Sequence, residues 1–228
     1  MKTRITLAAT ALVALAGGQA GAQEKAWPAR HLAAPSQAFE LSLSTGYTQP
    51  FGQLAAGVGM PSIASSGVAA EVDIGYRADP HWSFAIGAQY QELTAERARG
   101  TRGGTGTLLA AYHFDPDRRM DPWLELGAGY RALWETQNAN AGPTVLTHGI
   151  QLARLRLGVD LRGTEGVAIA PVIGADATMF LWQDAGTSTA IADPRLSTFV
   201  FAGVQGRFDV GGNTVGTTTT TSATYHEE

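Results

Sequence analysis

The stretch Phe39-Glu40-Leu41-Ser42-Leu43-Ser44-Thr45-Gly46-Tyr47 alternates between two kinds of side chain. Its odd-numbered positions are large or apolar, and its even-numbered positions are small or polar. Because successive side chains of a strand point to opposite faces, this period of two predicts a β-strand with one apolar and one polar face.

Seven further segments of the chain show the same alternation. Their apolar faces begin in turn at Val68, Trp82, Leu108, Leu124, Ala153, Val167 and Thr198. Eight segments of about 9 to 14 residues are an even number of strands of the length that crosses a bilayer as a tilted sheet. Pro171 falls within the seventh segment and cannot donate a ladder hydrogen bond. We therefore expect it at a bulge or at a position whose N–H is unpaired.

The connections between these segments alternate between short and long. The short ones, rich in turn-forming residues, are 78–81, 115–122 and 162–166, and the long ones are 49–66, 92–104, 135–148 and 183–195. Bacterial transmembrane barrels place short turns on the periplasmic side and long loops outside. The pattern therefore predicts an antiparallel barrel over residues 38–210, with both ends of the chain on the periplasmic side.

The N-terminus has the layout of a secretory signal peptide. Lys2 and Arg4 precede an apolar core from Ile5 to Ala16, and Ala20-Gly21-Ala22 offers the small residues of a cleavage site. The core is too short for a retained membrane anchor, the alternative reading. We predict a signal peptide over residues 1–22, Sec-type export with cleavage near Ala22, and a periplasmic lead over residues 23–37. The threonine-rich residues 211–228 have no apolar period, which predicts a disordered tail.

Composition narrows the class of protein. The chain has no cysteine, so it forms no disulfide, and its formal net charge of −4 argues against a general nucleic-acid binder. Its mean hydropathy of −0.04 is far lower than that of a helical membrane protein. A membrane barrel fits this value, because half of every strand faces a polar interior.

The polar faces carry charged residues in mid-strand positions, together with many glycines. Lysine occurs only at Lys2 and Lys25. Arginine suits buried ion pairs, because its planar fork pairs bidentately with carboxylates. We predict a barrel-interior charge network formed by Glu71, Asp73, Arg77, Glu125, Arg131, Arg154, Arg156, Asp160, Asp176 and Arg207.

This network has two interpretations. An eight-stranded barrel is just wide enough to be filled by its own side chains, which favours a static plug that satisfies buried charges. The alternative is a small gated channel or transporter, in which the ion pairs break and re-form.

Aromatic residues lie at the ends of the apolar faces, where transmembrane barrels carry aromatic girdles. At about 3.3 Å per residue and a tilt of about 40°, the strand from Phe39 to Tyr47 spans about 20 Å, close to an apolar band about 25 Å tall. Strand-end aromatics of a soluble core are the alternative. The predicted girdle residues are Phe39, Tyr76, Trp82, Phe114 and Phe208 at the periplasmic end and Tyr47, Tyr90 and Trp134 at the outer end.

Across residues 38–210 this pattern resembles the small eight-stranded outer-membrane barrels of the OmpA/OmpX type. Gly203-Val204-Gln205-Gly206-Arg207-Phe208 is similar to the terminal-strand signal that the barrel-assembly machinery recognises, although Gly206 replaces one hydrophobe and a tail follows. The resemblance implies an all-β, eight-stranded antiparallel up-and-down transmembrane β-barrel, monomeric in the bacterial outer membrane. We also predict a structural, adhesive or surface-interaction role. The sequence has no glycine-rich phosphate loop and no metal-ligand cluster, so we predict no cofactor or metal. A soluble exported lipocalin-like binding protein is the alternative.

Lipid A-modifying enzymes also occur on this architecture, and their nucleophilic chemistry needs a histidine with a nearby serine and acid. His113 is predicted to face inward and has no serine close in sequence, and His148 lies at an outer strand end near Thr147. We therefore predict no enzymatic activity, and lipid A modification is the alternative that stays open.

The second long loop carries three arginines beside two glutamates. Outward-facing guanidinium groups are suited to lipopolysaccharide phosphates. We predict a lipopolysaccharide contact at Arg97, Arg99 and Arg102, with an ordinary solvated loop as the alternative.

Overall fold

The computed structural model of the protein describes residues 32–95, 100–136 and 144–213. The predicted signal peptide, Arg97, Arg99 and most of the predicted tail lie outside these residues. A single 3-10 turn spans Met60–Ser62, and no helix in the described part of the chain is long and apolar enough to cross a bilayer. The strands are β1 (Ala38–Ala55), β2 (Val58–Gly59), β3 (Gly67–Arg77), β4 (Trp82–Leu93), β5 (Gly100–His113), β6 (Met120–Thr136), β7 (Val145–Thr164), β8 (Val167–Asp184), β9 (Ser188–Ala190) and β10 (Leu196–Val210).

Eight of these strands close into a barrel. β1, β3, β4, β5, β6, β7, β8 and β10 each pair antiparallel with the next one along the chain. The last strand then pairs with the first, from Phe39 opposite Val210 to Gly52 opposite Ser197. The predicted fold, an eight-stranded antiparallel up-and-down barrel, is confirmed.

The two ends of the barrel differ in their connections. At the turn end, β3–β4, β5–β6 and β7–β8 are joined by residues 78–81, 114–119 and 165–166. At the loop end, the strands run further than predicted: β1 continues to Ala55, β6 to Thr136, and β7 begins at Val145. The predicted loops 49–66 and 135–148 were therefore too long. Strand pairing depends on main-chain hydrogen bonds, which continue beyond the side-chain alternation that marks a strand in sequence.

A β-bulge in β7 changes the spacing of its inward-facing side chains. Gly127 pairs with Arg154 and Gly129 with Gln151, so β7 has one more residue than β6 at this point. Leu152 and the following residue are both exposed on the outside as a result. Gln151 and Arg154, three residues apart, can therefore both point into the barrel.

Pro171 occupies a position of the predicted kind. It lies opposite Val204 of β10, whereas the β7–β8 register resumes only on either side of it, at Gly158 opposite Val172 and Leu161 opposite Ile169. The missing N–H therefore falls where the ladder is already interrupted.

Both chain ends leave the barrel side by side at the turn end. Ser36 and Asn213 exchange two backbone hydrogen bonds, of 3.1 and 2.8 Å. Ala34 donates its backbone N–H to the carbonyl of Pro116 at 3.0 Å and is buried, so the chain before β1 packs against the β5–β6 turn.

Candidate functional site in the barrel interior

The structure places all ten predicted charge-network residues inside the barrel, where every one is buried. They are joined there by acidic and basic side chains that the prediction lacks, namely Glu40, Asp121, Arg162 and Asp209. The charged groups form two clusters along the barrel axis. The central network consists of Glu71, Asp73, Glu125, Arg131, Arg154, Arg156 and Asp176, and the turn-end network consists of Glu40, Arg77, His113, Asp121, Asp160, Arg162, Arg207 and Asp209.

Glu71 is the acceptor on which the central network converges. Arg154 donates to both of its oxygens at 2.7 Å, and Arg156 donates to Oε2 as well. On its other side, Arg154 Nε lies 3.4 Å from Asp176 Oδ1, while Arg131 donates to Asp176 Oδ2 at 2.6 Å. Since β3 and β7 lie four strands apart in an eight-stranded barrel, the pairing of Glu71 with Arg154 links opposite walls across the lumen.

Asp73, two residues further along the same face, has a very different environment. Neither of its carboxyl oxygens has a hydrogen-bond partner among the described residues. A β-carbon added at Gly87 would lie 2.5 Å from Asp73 Oδ1 and 3.1 Å from Glu71 Oε1, so the two carboxyl groups meet over this glycine. Asp73 and Glu125 also line a cavity of about 20 Å³, which has room for a water molecule. Asp73 is therefore crowded by like charge.

His113 is the hub of the turn-end network. Its Nε2 lies 3.3 Å from Arg77 Nη2 and 2.9 Å from Arg207 Nη1, and its Nδ1 lies 2.6 Å from Asp121 Oδ2. Guanidinium groups only donate, so Nε2 must accept and Nδ1 must carry the proton that is donated to Asp121. This geometry assigns a neutral imidazole with both nitrogens engaged.

The same histidine belongs to a trio that has the spacing of a metal site. One ligand atom each from His113, Asp121 and Asp160 lie within 4.8 Å of one another. However, the Nε2 lone pair of His113 faces two guanidinium groups, and Asp160 already accepts from Trp123 Nε1 at 2.9 Å and Arg207 at 2.8 Å. A cation there would meet two fixed positive charges, so the donor set suits a hydrogen-bonded network and not a metal.

Trp123 fills the lumen beside this network. It is buried on the interior face of β6, directly opposite Gly158 of β7. A β-carbon at Gly158 would overlap the indole ring, so the glycine leaves the space that the ring occupies.

Gly158→Ala is expected to lower the free energy of unfolding of the barrel by about 1–3 kcal/mol, because the indole ring must shift in a closely packed interior. The measurement is urea-driven unfolding in lipid vesicles, followed by tryptophan fluorescence. Gly163→Ala is the matched control, since a β-carbon there meets nothing within 4 Å. Equal stability of the two variants would contradict this packing argument.

An apolar cluster closes the lumen at the loop end. This apolar cap consists of Leu54, Met60, Ile63, Ala64, Leu93, Leu133, Phe180 and Phe199, all buried. It rests on the central network, because the guanidinium of Arg131 lies 3.8 Å from the centre of the Phe199 ring. The loop after β1 is tied down over the mouth by a hydrogen bond of 2.5 Å from Thr101 Oγ1 to the carbonyl of Ile63.

The predicted girdle residues all lie on the outer surface of the barrel and are exposed. At the turn end the girdle rings form aromatic pairs. The ring centres of Phe39 and Tyr76 lie 5.6 Å apart. The ring of a further tyrosine, Tyr112, lies with its centre 5.0 Å from that of Trp82 and 5.1 Å from that of Phe114. The surface between the girdles is apolar, with Ile86 61% and Leu108 69% exposed.

A polar trio that the sequence did not reveal interrupts the outer girdle. His148 faces outward, and its Nδ1 is hydrogen-bonded to the Tyr130 hydroxyl. Its Nε2 lies 3.2 Å from Asp184 Oδ2. Its ring stacks on Trp182 with centroids 5.6 Å apart. Thr147, which precedes His148 in sequence, is buried and points into the barrel, so its hydroxyl lies on the other face of the strand from His148.

Of the three arginines predicted to contact lipopolysaccharide, Arg102 is the one within the described residues. It lies at the loop end of β5, is exposed, and has its Nε 3.6 Å from Glu92 Oε1. The Tyr90 hydroxyl donates to the same glutamate oxygen at 2.9 Å. The arrangement is an exposed surface ion pair beside a girdle residue.

Comparison with known proteins connects this architecture to solved structures. No protein-family model matches the sequence, and no curated protein matches it. Neisserial surface protein A matches in structure with a TM-score of 0.51 and 13% sequence identity, covering 75% of this chain and 96% of that chain. Two proteins of Pseudomonas aeruginosa also match: outer membrane protein OprG (TM-score 0.49, 11% identity, 78% and 98% coverage) and the N-terminal β-barrel domain of OprF (0.43, 14%, 76% and 99%).

At 13% identity, the match to Neisserial surface protein A bears on architecture alone. This chain has the closed, antiparallel strand order described above for β1 to β10, and it shares its overall fold with that protein. The chain therefore has the fold of the small eight-stranded outer-membrane barrels.

Proposed function

We propose that the protein is an integral barrel of the bacterial outer membrane with a filled lumen, whose loops serve a structural, adhesive or surface-interaction role. The observation that carries this proposal is the continuous apolar exterior between two rows of exposed aromatic residues. Soluble monomers rarely expose an apolar patch larger than a few hundred Å². Lipid is the environment in which such an exterior is stable, which argues against a soluble lipocalin-like protein.

The filled lumen favours a plug over a channel. Ion pairs cross the central part of the barrel, and the apolar cap covers its loop end. Breaking a buried pair leaves an uncompensated charge, which is strongly unfavourable. We infer that ion passage would require both disruption of these pairs and displacement of the cap.

The refolded protein is expected to produce no steady single-channel current in planar lipid bilayers. The same preparation should migrate differently on gels before and after heating, which shows that the barrel is folded. On intact cells, added protease should cut only at the four loops of the loop end. Large, steady currents from the folded protein would overturn the plug, and loss of protease protection at the turn end would overturn the topology.

In this proposal the partners are outer-membrane lipid and lipopolysaccharide, with the barrel-assembly machinery acting during biogenesis. Arg102 and Tyr90 lie where a phosphate-bearing headgroup would meet the outer girdle. No catalytic role is proposed for the histidines, because His113 is enclosed by Arg77, Arg207 and Asp121, and His148 contacts a phenol and not a serine.

A further inference from the structure

A cavity of about 480 Å³ lies at the loop end, against the apolar cap, and the cap residues Leu54 and Ile63 form part of its wall. Val58 and Ile191 add further aliphatic surface, Ser62, Gln183 and Thr189 add neutral polar side chains, and Glu135 contributes a carboxylate. This volume is within the range of small-molecule sites, which are mostly apolar with a few polar groups that orient the ligand.

Hydrogen bonds hold the walls of the cavity in place. The carbonyl of Ile63 accepts a hydrogen bond from the hydroxyl of Thr101 in β5. The backbone N–H of Ile191 donates to the carbonyl of Leu181 at 2.9 Å, and the backbone N–H of Arg195 donates to the carbonyl of Leu54 at 3.1 Å. The cavity is thus formed by anchored segments of two loops, and a ligand would find it largely preorganised.

Glu135 is the distinctive group of this cavity. It is 8% exposed, and no arginine or histidine in the described ranges forms an ion pair with it. By contrast, most of the carboxylates deeper in the barrel face a guanidinium group.

We propose that this cavity binds a small organic ammonium ion, with the ammonium on the Glu135 carboxylate and a short apolar body against Leu54, Val58 and Ile191. An ammonium supplies a positive charge and donors, which no described side chain gives to this carboxylate, and hydrogen bonds to charged groups are the stronger ones. The aliphatic walls would contact the apolar body of the ligand and reduce its exposure to water. This site is independent of whether the lumen conducts.

The test uses the full barrel in lipid nanodiscs and cyclohexylammonium as the probe, followed through the methyl NMR signals of Val58, Ile63 and Ile191. We expect saturable shifts with a dissociation constant on the order of 1 mM. Cyclohexanol, the neutral analogue, should bind at least about tenfold more weakly, because it cannot pair with the carboxylate. Absence of saturation, or equal affinity for the alcohol, would overturn the proposal.

Two variants locate the site. Glu135→Gln should weaken cyclohexylammonium binding at least about tenfold, whereas Glu165→Gln, the same change on the exposed β7–β8 turn, should leave it unchanged. Ala190→Trp, at an exposed residue that lines the cavity, should abolish binding by filling it while the barrel keeps its heat-dependent gel mobility. Unchanged binding by either Glu135→Gln or Ala190→Trp would refute the assignment.

Discussion

Replacing Glu71 with glutamine is expected to lower the free energy of unfolding of the barrel by about 3–5 kcal/mol. The glutamine has nearly the same shape, but it removes the charge that Arg154 and Arg156 share. Arg154 would then keep only Asp176, at 3.4 Å, and Arg156 only Glu125, at 3.9 Å, so both guanidinium groups would lose their shortest ion pair. Urea-driven unfolding of the protein in lipid vesicles, read by gel mobility and tryptophan fluorescence, measures the loss.

Asp73→Asn provides the matched control two residues away on the same face of β3. We expect it to change the free energy of unfolding by less than about 1 kcal/mol, because the Asp73 oxygens accept no hydrogen bond from the described residues and the amide can donate to neighbouring carboxylates. The contrast between the two variants tests the network itself. If both substitutions destabilise the barrel equally, Glu71 has no special position in it.

Placing an arginine at Leu108 should be the most damaging single change on the outer surface. Leu108 is 69% exposed and pairs with Ile86, which lies midway between the girdle residues Trp82 and Tyr90. An arginine at the midplane of a lipid-facing surface costs about 2–4 kcal/mol. We expect Leu108→Arg to lose that much stability in vesicles, measured by the same urea titration.

Leu196→Arg is the control, because it makes the same substitution at a 50% exposed leucine at the loop end of β10. Near the membrane interface the cost falls to about 0–1 kcal/mol. A difference between the two sites is expected for a barrel surrounded by lipid. In a soluble protein both leucines would face water, so equal effects of the two arginines would contradict the membrane location.

The fold could be predicted because apolar and polar side chains alternate along each strand. This alternation shows which face of the strand lies in an apolar environment. The alternation around Phe39–Tyr47 and its seven repeats specify strands, and the alternating lengths of the connections specify their order. The bulge at Leu152 could not be predicted, since it depends on how β7 pairs with β6 and β8. A strict period of two places Gln151 and Arg154, three residues apart, on opposite faces of the strand, whereas both side chains point into the barrel.

The interior was only partly predictable. Charged residues in mid-strand stand out against glycine and alanine, but Asp121 falls among Asp-Pro signals that predict a turn, whereas the structure has it in β6. The apolar cap was also missed, because Leu133, Phe180 and Phe199 are hydrophobic residues on the face that is otherwise polar. Their role depends on strands far apart in sequence and on a loop that folds back over them.

The pairing of β1 with β10 also constrains how this chain is made. A growing chain that lacks β10 has two long unpaired edges, on β1 and on β8, and each can add a strand from another molecule. The other pairs of the barrel join strands that follow one another along the chain, whereas β1 can pair with β10 only when the last residues of the barrel are present. A chain truncated before β10 is therefore expected to aggregate through these edges instead of forming a barrel.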